Sequence, residues 1–156
     1  MKSFTSNSLE ETERFAKEWL EEISRSAPEP SGKIAQAFVV GLFGHLGAGK
    51  TAFVKIVAKI LGVKEEITSP TFVIMKNYKI NHPKWKNLIH IDAYRLEQRE
   101  ELEVLDFEGL VSNPENLIMI EWPEKVRLDQ SGLDEFLKFE TVEGGYQIEY
   151  VRPKDR

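Results

Sequence analysis

The run Gly44-His45-Leu46-Gly47-Ala48-Gly49-Lys50-Thr51 has the residue types and spacing of a polyanion site, fitting G-x-x-x-x-G-K-[ST] without a mismatch. Its glycines let successive backbone N–H groups turn inward onto a phosphate. Lys50 can reach the β- and γ-phosphates, and the Thr51 hydroxyl is a hard oxygen ligand for Mg²⁺. Gly44, Leu46, Gly47, Ala48, Gly49, Lys50, Thr51 and Ala52 are the expected phosphate-binding set. The plainer reading is a glycine-rich turn with a surface lysine. Against it, the run follows an apolar β-branched stretch and precedes a helical pattern, which aims a helix N-terminus at the ligand.

Binding phosphate is not yet chemistry on it, which also needs an acidic residue near the metal. Two apolar runs end in one: Leu88-Ile89-His90-Ile91-Asp92 and Leu117-Ile118-Met119-Ile120-Glu121. If both runs are strands, Asp92 and Glu121 reach the sheet edge where Thr51 sits. One acid could then hold Mg²⁺ and the other orient the attacking group. A strand-terminal acid also reads as a solvated turn residue. Thr71, with Ser69, lies in a proline-stiffened hydroxyl stretch placed for a switch-like contact with a γ-phosphate, or for an ordinary X-Pro turn. Trp122 either walls the site or fills core. His82 reads as a surface residue and His90 as a packed strand histidine rather than a base.

The elements that must position these groups follow from periodicity. Ser8 and Glu11 form a capping box, and Leu9, Phe15, Ala16, Trp19, Leu20 and Ile23 recur at helical spacing, predicting an amphipathic helix over 9–25. A breaker cluster at 27–33 leads to a strand near 36–43. The dense apolar pattern of Phe53, Val54, Ile56, Val57, Ile60 and Leu61 predicts a largely buried helix closed by Gly62. Strands near 72–80 and 88–92 are expected to pair antiparallel. One helix or two short ones follow over 99–111, then a strand at 117–120 closed by Pro123, then a hairpin around Glu143-Gly144-Gly145. The expected fold is a three-layer α/β arrangement of the P-loop NTPase kind, with a mixed, mostly parallel sheet and a C-terminal β-hairpin.

The 156 residues suggest one domain over 1–156. The net charge of −5 supplies no global field for nucleic acid, so direct sequence-specific nucleic-acid binding is not expected. Zero cysteines remove disulfides, thiolate nucleophiles and zinc–thiolate sites. No apolar run approaches the roughly 20 residues that cross a bilayer. The first residues carry no signal-peptide core, and a cytoplasmic location is expected.

The P-loop, TSPTF at 68–72, HIDAYRL at 90–96 and LIMIEWPEK at 117–125, in that order, resemble the bacterial TsaE (YjeE) family over nearly the whole chain. The resemblance implies a small P-loop ATPase needed for threonylcarbamoylation of adenosine 37 in tRNA. Its partners would be TsaB and TsaD, and TsaC would supply threonylcarbamoyl-adenylate. By matching position, Lys50 and the loop would hold ATP, and Thr51 and Glu121 would serve Mg²⁺ with Asp92 an essential acid beside them. Thr71 would sense the γ-phosphate, Trp122 would help form the site, and Thr12 and Tyr146 would lie near the nucleotide. Three positions depart from the family pattern. His45 stands where the family usually has Asp, Ala52 where a second Thr is frequent, and Leu105-Asp106 where Leu-Gly is common. Two other readings stay open on the residues alone. A small-molecule P-loop kinase would need an arginine-bearing lid, for which Arg95, Arg99, Arg127 and Arg152 are available without an obvious insert. A nucleotide-binding module without hydrolysis is the other.

Overall fold

The structure is a computed structural model that describes residues 2–27, 35–66, 74–98, 100–128 and 132–151. In chain order the elements are β1 (Lys2–Ser6), α1 (Leu9–Ser26), β2 (Phe38–Phe43), α2 (Lys50–Ile60), β3 (Met75–Lys79), β4 (Asn87–Asp92), α3 (Glu100–Glu103), α4 (Phe107–Val111), β5 (Asn116–Glu121), a 3₁₀ turn (Pro123–Val126), β6 (Glu135–Val142) and β7 (Gly145–Val151).

The seven strands form one sheet in the order β1-β7-β6-β2-β5-β4-β3. Its four inner strands, β6, β2, β5 and β4, run parallel. The outer pairs β6–β7, β7–β1 and β4–β3 are antiparallel. β4 and β5 are buried at every position and β2 at all but its last, as expected of strands covered on both faces.

Alternation divides the strand residues between two cores. Val40, Leu42, Leu88, Leu117, Met119, Leu137 and Phe139 face α1 and α2, where Trp19 and Phe53 meet edge-on at 5.4 Å between ring centroids. Val39, Ile89, Ile91, Ile118, Ile120 and Phe136 face the opposite layer, which includes Leu102 of α3, Phe107 of α4 and Val126 of the 3₁₀ turn. The result is three layers, with the phosphate-loop helix on one side of the sheet.

The N-terminal half of the capping box forms at α1, where Ser8 accepts from the Glu11 N–H at 3.2 Å, while the Glu11 carboxylate reaches one residue further back and accepts from the Asn7 N–H at 2.7 Å. Phe15, Ala16, Trp19, Leu20 and Ile23 are buried as expected, but Leu9 is 65% exposed. As the first residue of the helix it stands past the surface on which α1 packs, and Thr12 takes the inward place instead.

Nothing in the composition of Lys2–Ser6 marks a strand, yet β1 completes the sheet on β7. Its one large apolar residue, Phe4, stacks on Phe15 at 4.6 Å, and the ladder to β7 supplies the rest of its order. The stretch 99–111 resolves into two short helices among the described residues, separated by Asp106 at φ 53°, ψ 50°. That is the left-handed conformation a glycine would take, and aspartate is among the few other residues that tolerate it. The Leu105-Asp106 departure therefore leaves a glycine-like turn in place.

Candidate functional site

β2 runs into the loop at Gly44, and α2 starts at Lys50. Gly49, the residue before α2, has φ 105°. Gly44 has φ 145°, and a Cβ there would lie 2.7 Å from the Phe139 carbonyl oxygen. Both positions demand glycine, one for its torsion angle and the other also for its close approach to β6. The amides of the first turn of α2 have no acceptor within the helix, which leaves them directed toward the loop's concavity. That concavity is a cavity of about 350 Å³ lined by Leu46, Gly47, Ala48, Gly49, Lys50, Thr51, Ala52, Asp92, Tyr94, Glu121 and Trp122.

Strand register carries the acids to this cavity. β4 and β5 pair Asp92 with Glu121, and β2 and β5 pair Leu42 with Glu121, so both carboxylates stand at the strand ends beside the loop. Both are buried. Thr51 Oγ1 donates to both Glu121 oxygens, at 2.8 Å to Oε1 and 3.0 Å to Oε2. Asp92 Oδ1 accepts the Tyr94 N–H at 3.0 Å, a turn that holds the carboxylate at the strand end.

The Lys50 ammonium is buried and folds back on its own loop, donating to the Gly44 and His45 carbonyls, the latter at 3.0 Å. It lies 4.0 Å from the centroid of the Trp122 ring. Burial lowers its pKa from the usual lysine value, while Glu121, Glu124 and Asp92 act in the opposite sense. Trp122 follows β5 in the left-handed conformation, φ 60° and ψ 48°, anchored by its N–H to the Leu42 carbonyl at 3.1 Å. A non-glycine residue held this way costs on the order of 1–3 kcal/mol. Here that geometry leaves the ring over Lys50 and against Tyr94, with 5.2 Å between the latter ring centroids. Trp122 therefore walls the site.

Of the residues expected from sequence, Leu46, Gly47, Ala48, Gly49, Lys50, Thr51, Ala52, Asp92, Glu121 and Trp122 all meet at this cavity. Gly44 stands behind it and contributes its carbonyl to Lys50. Thr12 and Tyr146 do not line the cavity. They bond to each other at 2.7 Å, Thr12 is wholly buried with Ser6 Oγ at 2.6 Å, and a Cβ on Gly49 would sit 3.7 Å from the Tyr146 ring. The pair thus stands against the loop at Gly49. Thr71 and Ser69 lie outside the described residues.

Two participants have no site role in the sequence reading. Tyr94 lines the cavity, two residues past the end of β4. His90 is wholly buried, and its Nε2 is 2.6 Å from Glu121 Oε2. The signal for His90 was present in the alternation of β4, which places Leu88, His90 and Asp92 on one face, whereas Tyr94 lies in the turn beyond the strand. His82, read as a surface residue, is half-buried and stacks on Trp85 at 4.7 Å.

A hydroxyl and two carboxylates are the hard oxygen donors that Mg²⁺ selects. Among the described residues no group of three or more His, Cys, Asp or Glu could hold a metal ion. Exposed Arg95 and Arg127 are not among the lining residues, while Arg99 and Arg152 lie outside the described ones. Among the described residues no helix is long and apolar enough to cross a membrane.

The family model "Threonylcarbamoyl adenosine biosynthesis protein TsaE" matches residues 6–148. Two proteins named tRNA threonylcarbamoyladenosine biosynthesis protein TsaE are among the relatives. That of Rickettsia prowazekii is 38% identical, covering 79% of this chain and 75% of its own. That of Aquifex aeolicus is 36% identical, covering 69% and 80%. The crystal structure of Bacillus subtilis YdiB superposes with a TM-score of 0.60 at 25% identity, covering 99% of this chain and 87% of the other. With a family match spanning the phosphate loop and both strand-terminal acids, the chain belongs to the TsaE family of tRNA threonylcarbamoyladenosine biosynthesis proteins.

Proposed function

We propose that this protein binds and hydrolyses ATP with Mg²⁺, as the energy-using component of the cytoplasmic machinery that installs threonylcarbamoyladenosine in tRNA. It would act with TsaB and TsaD, and would meet tRNA and the TsaC product only through them. The observation that carries this reading is the Thr51–Glu121 hydrogen bond at the mouth of the phosphate loop, with Asp92 beside it in register. A hydroxyl whose proton is committed to a carboxylate turns its lone pairs outward, toward the cavity. Thr51 and Glu121 would hold Mg²⁺ with Asp92, and when bound the ion would neutralise charge on the phosphate oxygens.

The remaining steps belong to side chains of this chain. Lys50 leaves the Gly44 and His45 carbonyls and the Trp122 face to meet the β- and γ-phosphates. Asp92, held by the Tyr94 N–H, orients the attacking water. Trp122 and Tyr94 cover the opening. The energy of hydrolysis would act through a change in protein state, with Thr71 and its neighbours as the γ-phosphate sensor.

Reconstitution tests the proposal. Purified TsaB, TsaD and TsaC should modify tRNA repeatedly only when this protein and ATP are present, and a non-hydrolysable analogue should not substitute. Lys50→Ala should lose ATP binding, and Glu121→Ala should lose hydrolysis while still binding ATP. Equal multiple turnover without this protein would sink the reading, and a phosphorylated metabolite as product would replace it with a kinase.

A further inference from the structure

The group left unexplained is His90. Its ring is wholly buried in β4, Nε2 lies 2.6 Å from Glu121 Oε2, and Nδ1 has no hydrogen-bond partner among the described residues. We propose that His90 is a positioning residue for Mg²⁺·nucleotide. By donating from Nε2 to Glu121 Oε2, it locks the carboxylate in the one orientation that takes the Thr51 proton and leaves the Thr51 oxygen facing the cation. This inference rests on the nucleotide reading above.

The arrangement follows from register. His90 pairs with Met119 across the β4–β5 ladder and Asp92 pairs with Glu121, so Glu121 is the diagonal neighbour of His90 on the face toward α2. An ionised carboxylate can only accept, so Nε2 carries the hydrogen. In the neutral ring Nδ1 is then a bare lone pair, whose burial without a partner costs less than that of an N–H bearing charge. Glu121 is gripped from two sides, by His90 at Oε2 and by Thr51 at both oxygens. Without His90 the carboxylate could rotate toward the Lys50 ammonium, and the Thr51 hydrogen would no longer have a fixed acceptor. A histidine serving only as core filler would need no partner placed at the phosphate loop. Outer partners of this kind, when removed, typically cost 10–100-fold in metal affinity.

The test compares His90→Leu, which deletes the donor, with His90→Gln, whose amide nitrogen can reach the same oxygen. Mn²⁺ replaces Mg²⁺ and is titrated by electron paramagnetic resonance in the presence of ADP. ADP binding in EDTA and thermal melting are followed in parallel. The expected result is Mn²⁺ affinity about 10–100-fold weaker in His90→Leu. Metal-free ADP affinity should be unchanged, and His90→Gln should recover most of the loss. Unchanged Mn²⁺ affinity in His90→Leu, parallel loss of both affinities, or no recovery in His90→Gln would each overturn the proposal.

Nitrogen-15 spectra of the wild-type histidine rings decide the point even if His90→Leu fails to fold. With three histidines in the chain the signals can be assigned by substituting His45 and His82. A proton on Nε2 supports the proposal, and a ring protonated on Nδ1 with Nε2 bare overturns it. If the wild-type protein binds no Mn²⁺·ADP at all, the nucleotide reading itself has failed, an outcome separate from those above.

Discussion

Replacing Thr51 by valine keeps the shape of the side chain and deletes one hydroxyl, the donor that Glu121 receives at 2.8 and 3.0 Å. Glu121 is 2% exposed, so water cannot fully take the place of that donor. A hydrogen bond to a charged group contributes about 1.5–3 kcal/mol. In a domain of this length each kcal/mol moves the melting temperature by about 2–4 °C, so Thr51→Val should melt about 3–12 °C below wild type without ligand. Thr51→Ser should melt within a few degrees of wild type (on the order of 1 kcal/mol), since it keeps the donor and loses one methyl group. Nucleotide separates the structural cost from the loss of function. Saturation at 100-fold over Kd adds about 2.7 kcal/mol, or about 5–11 °C, to any form that binds. Wild type and Thr51→Ser should gain more from ADP with Mg²⁺ than from ADP in EDTA. Thr51→Val should show a clearly smaller difference between the two, since only Glu121 and Asp92 remain to hold the ion. Equal melting of Thr51→Val and Thr51→Ser would refute the energetic argument, and a full Mg²⁺-dependent shift in Thr51→Val would refute the role given to the hydroxyl.

Other substitutions address the remaining parts. Asp106→Gly should stabilise by about 0.5–1 kcal/mol, the relief of a left-handed non-glycine residue less the added backbone entropy of glycine, measured by urea unfolding. Gly109→Ala should gain up to about 1 kcal/mol of helix propensity, less the cost of swinging aside the exposed Asp106 carboxylate, whose Oδ2 would lie 2.3 Å from the new Cβ, and a double-mutant cycle should show a larger gain in the Asp106→Gly background. Tyr146→Phe deletes the bond to Thr12 and should cost about 0.5–1.5 kcal/mol of stability, with tripolyphosphate affinity unchanged because the pair lies outside the phosphate cavity. Lys50 has a pKa lowered from 10.5, chiefly by burial, so in the window just below 10.5 the unfolded chain holds the proton more tightly than the folded one. Its contribution to stability therefore rises with pH through that window, and Lys50→Met should flatten that rise in thermal melts across alkaline pH.

Much of the fold was legible because its signals are local. The capping box at Ser8 and Glu11, the helical recurrence of Phe15, Trp19 and Ile23, and the Glu143-Gly144-Gly145 turn each declare an element within a few residues. β1 was not legible, since Lys2–Ser6 has little apolar alternation and is a strand only because β7 offers it an edge. The exposure of Leu9 was hidden for a similar reason: helical periodicity assigns a face but not where the surface beneath it ends.

The sequence by itself determined the chemistry on offer. G-x-x-x-x-G-K-T can be read without a structure, because contiguous backbone amides, one ammonium and one hydroxyl at fixed spacing are sufficient to define a phosphate cradle. Two apolar runs ending in Asp92 and Glu121 likewise announced acids at a sheet edge. What only tertiary structure decided was which groups hold one another. Glu121 meets Thr51 across 70 residues and His90 across 31, and Thr12 meets Tyr146 across 134. These partners are set by strand order and by the one-residue register of β4 on β5, quantities that no local pattern encodes. The same register turns His90 from a packed strand residue into the second grip on Glu121.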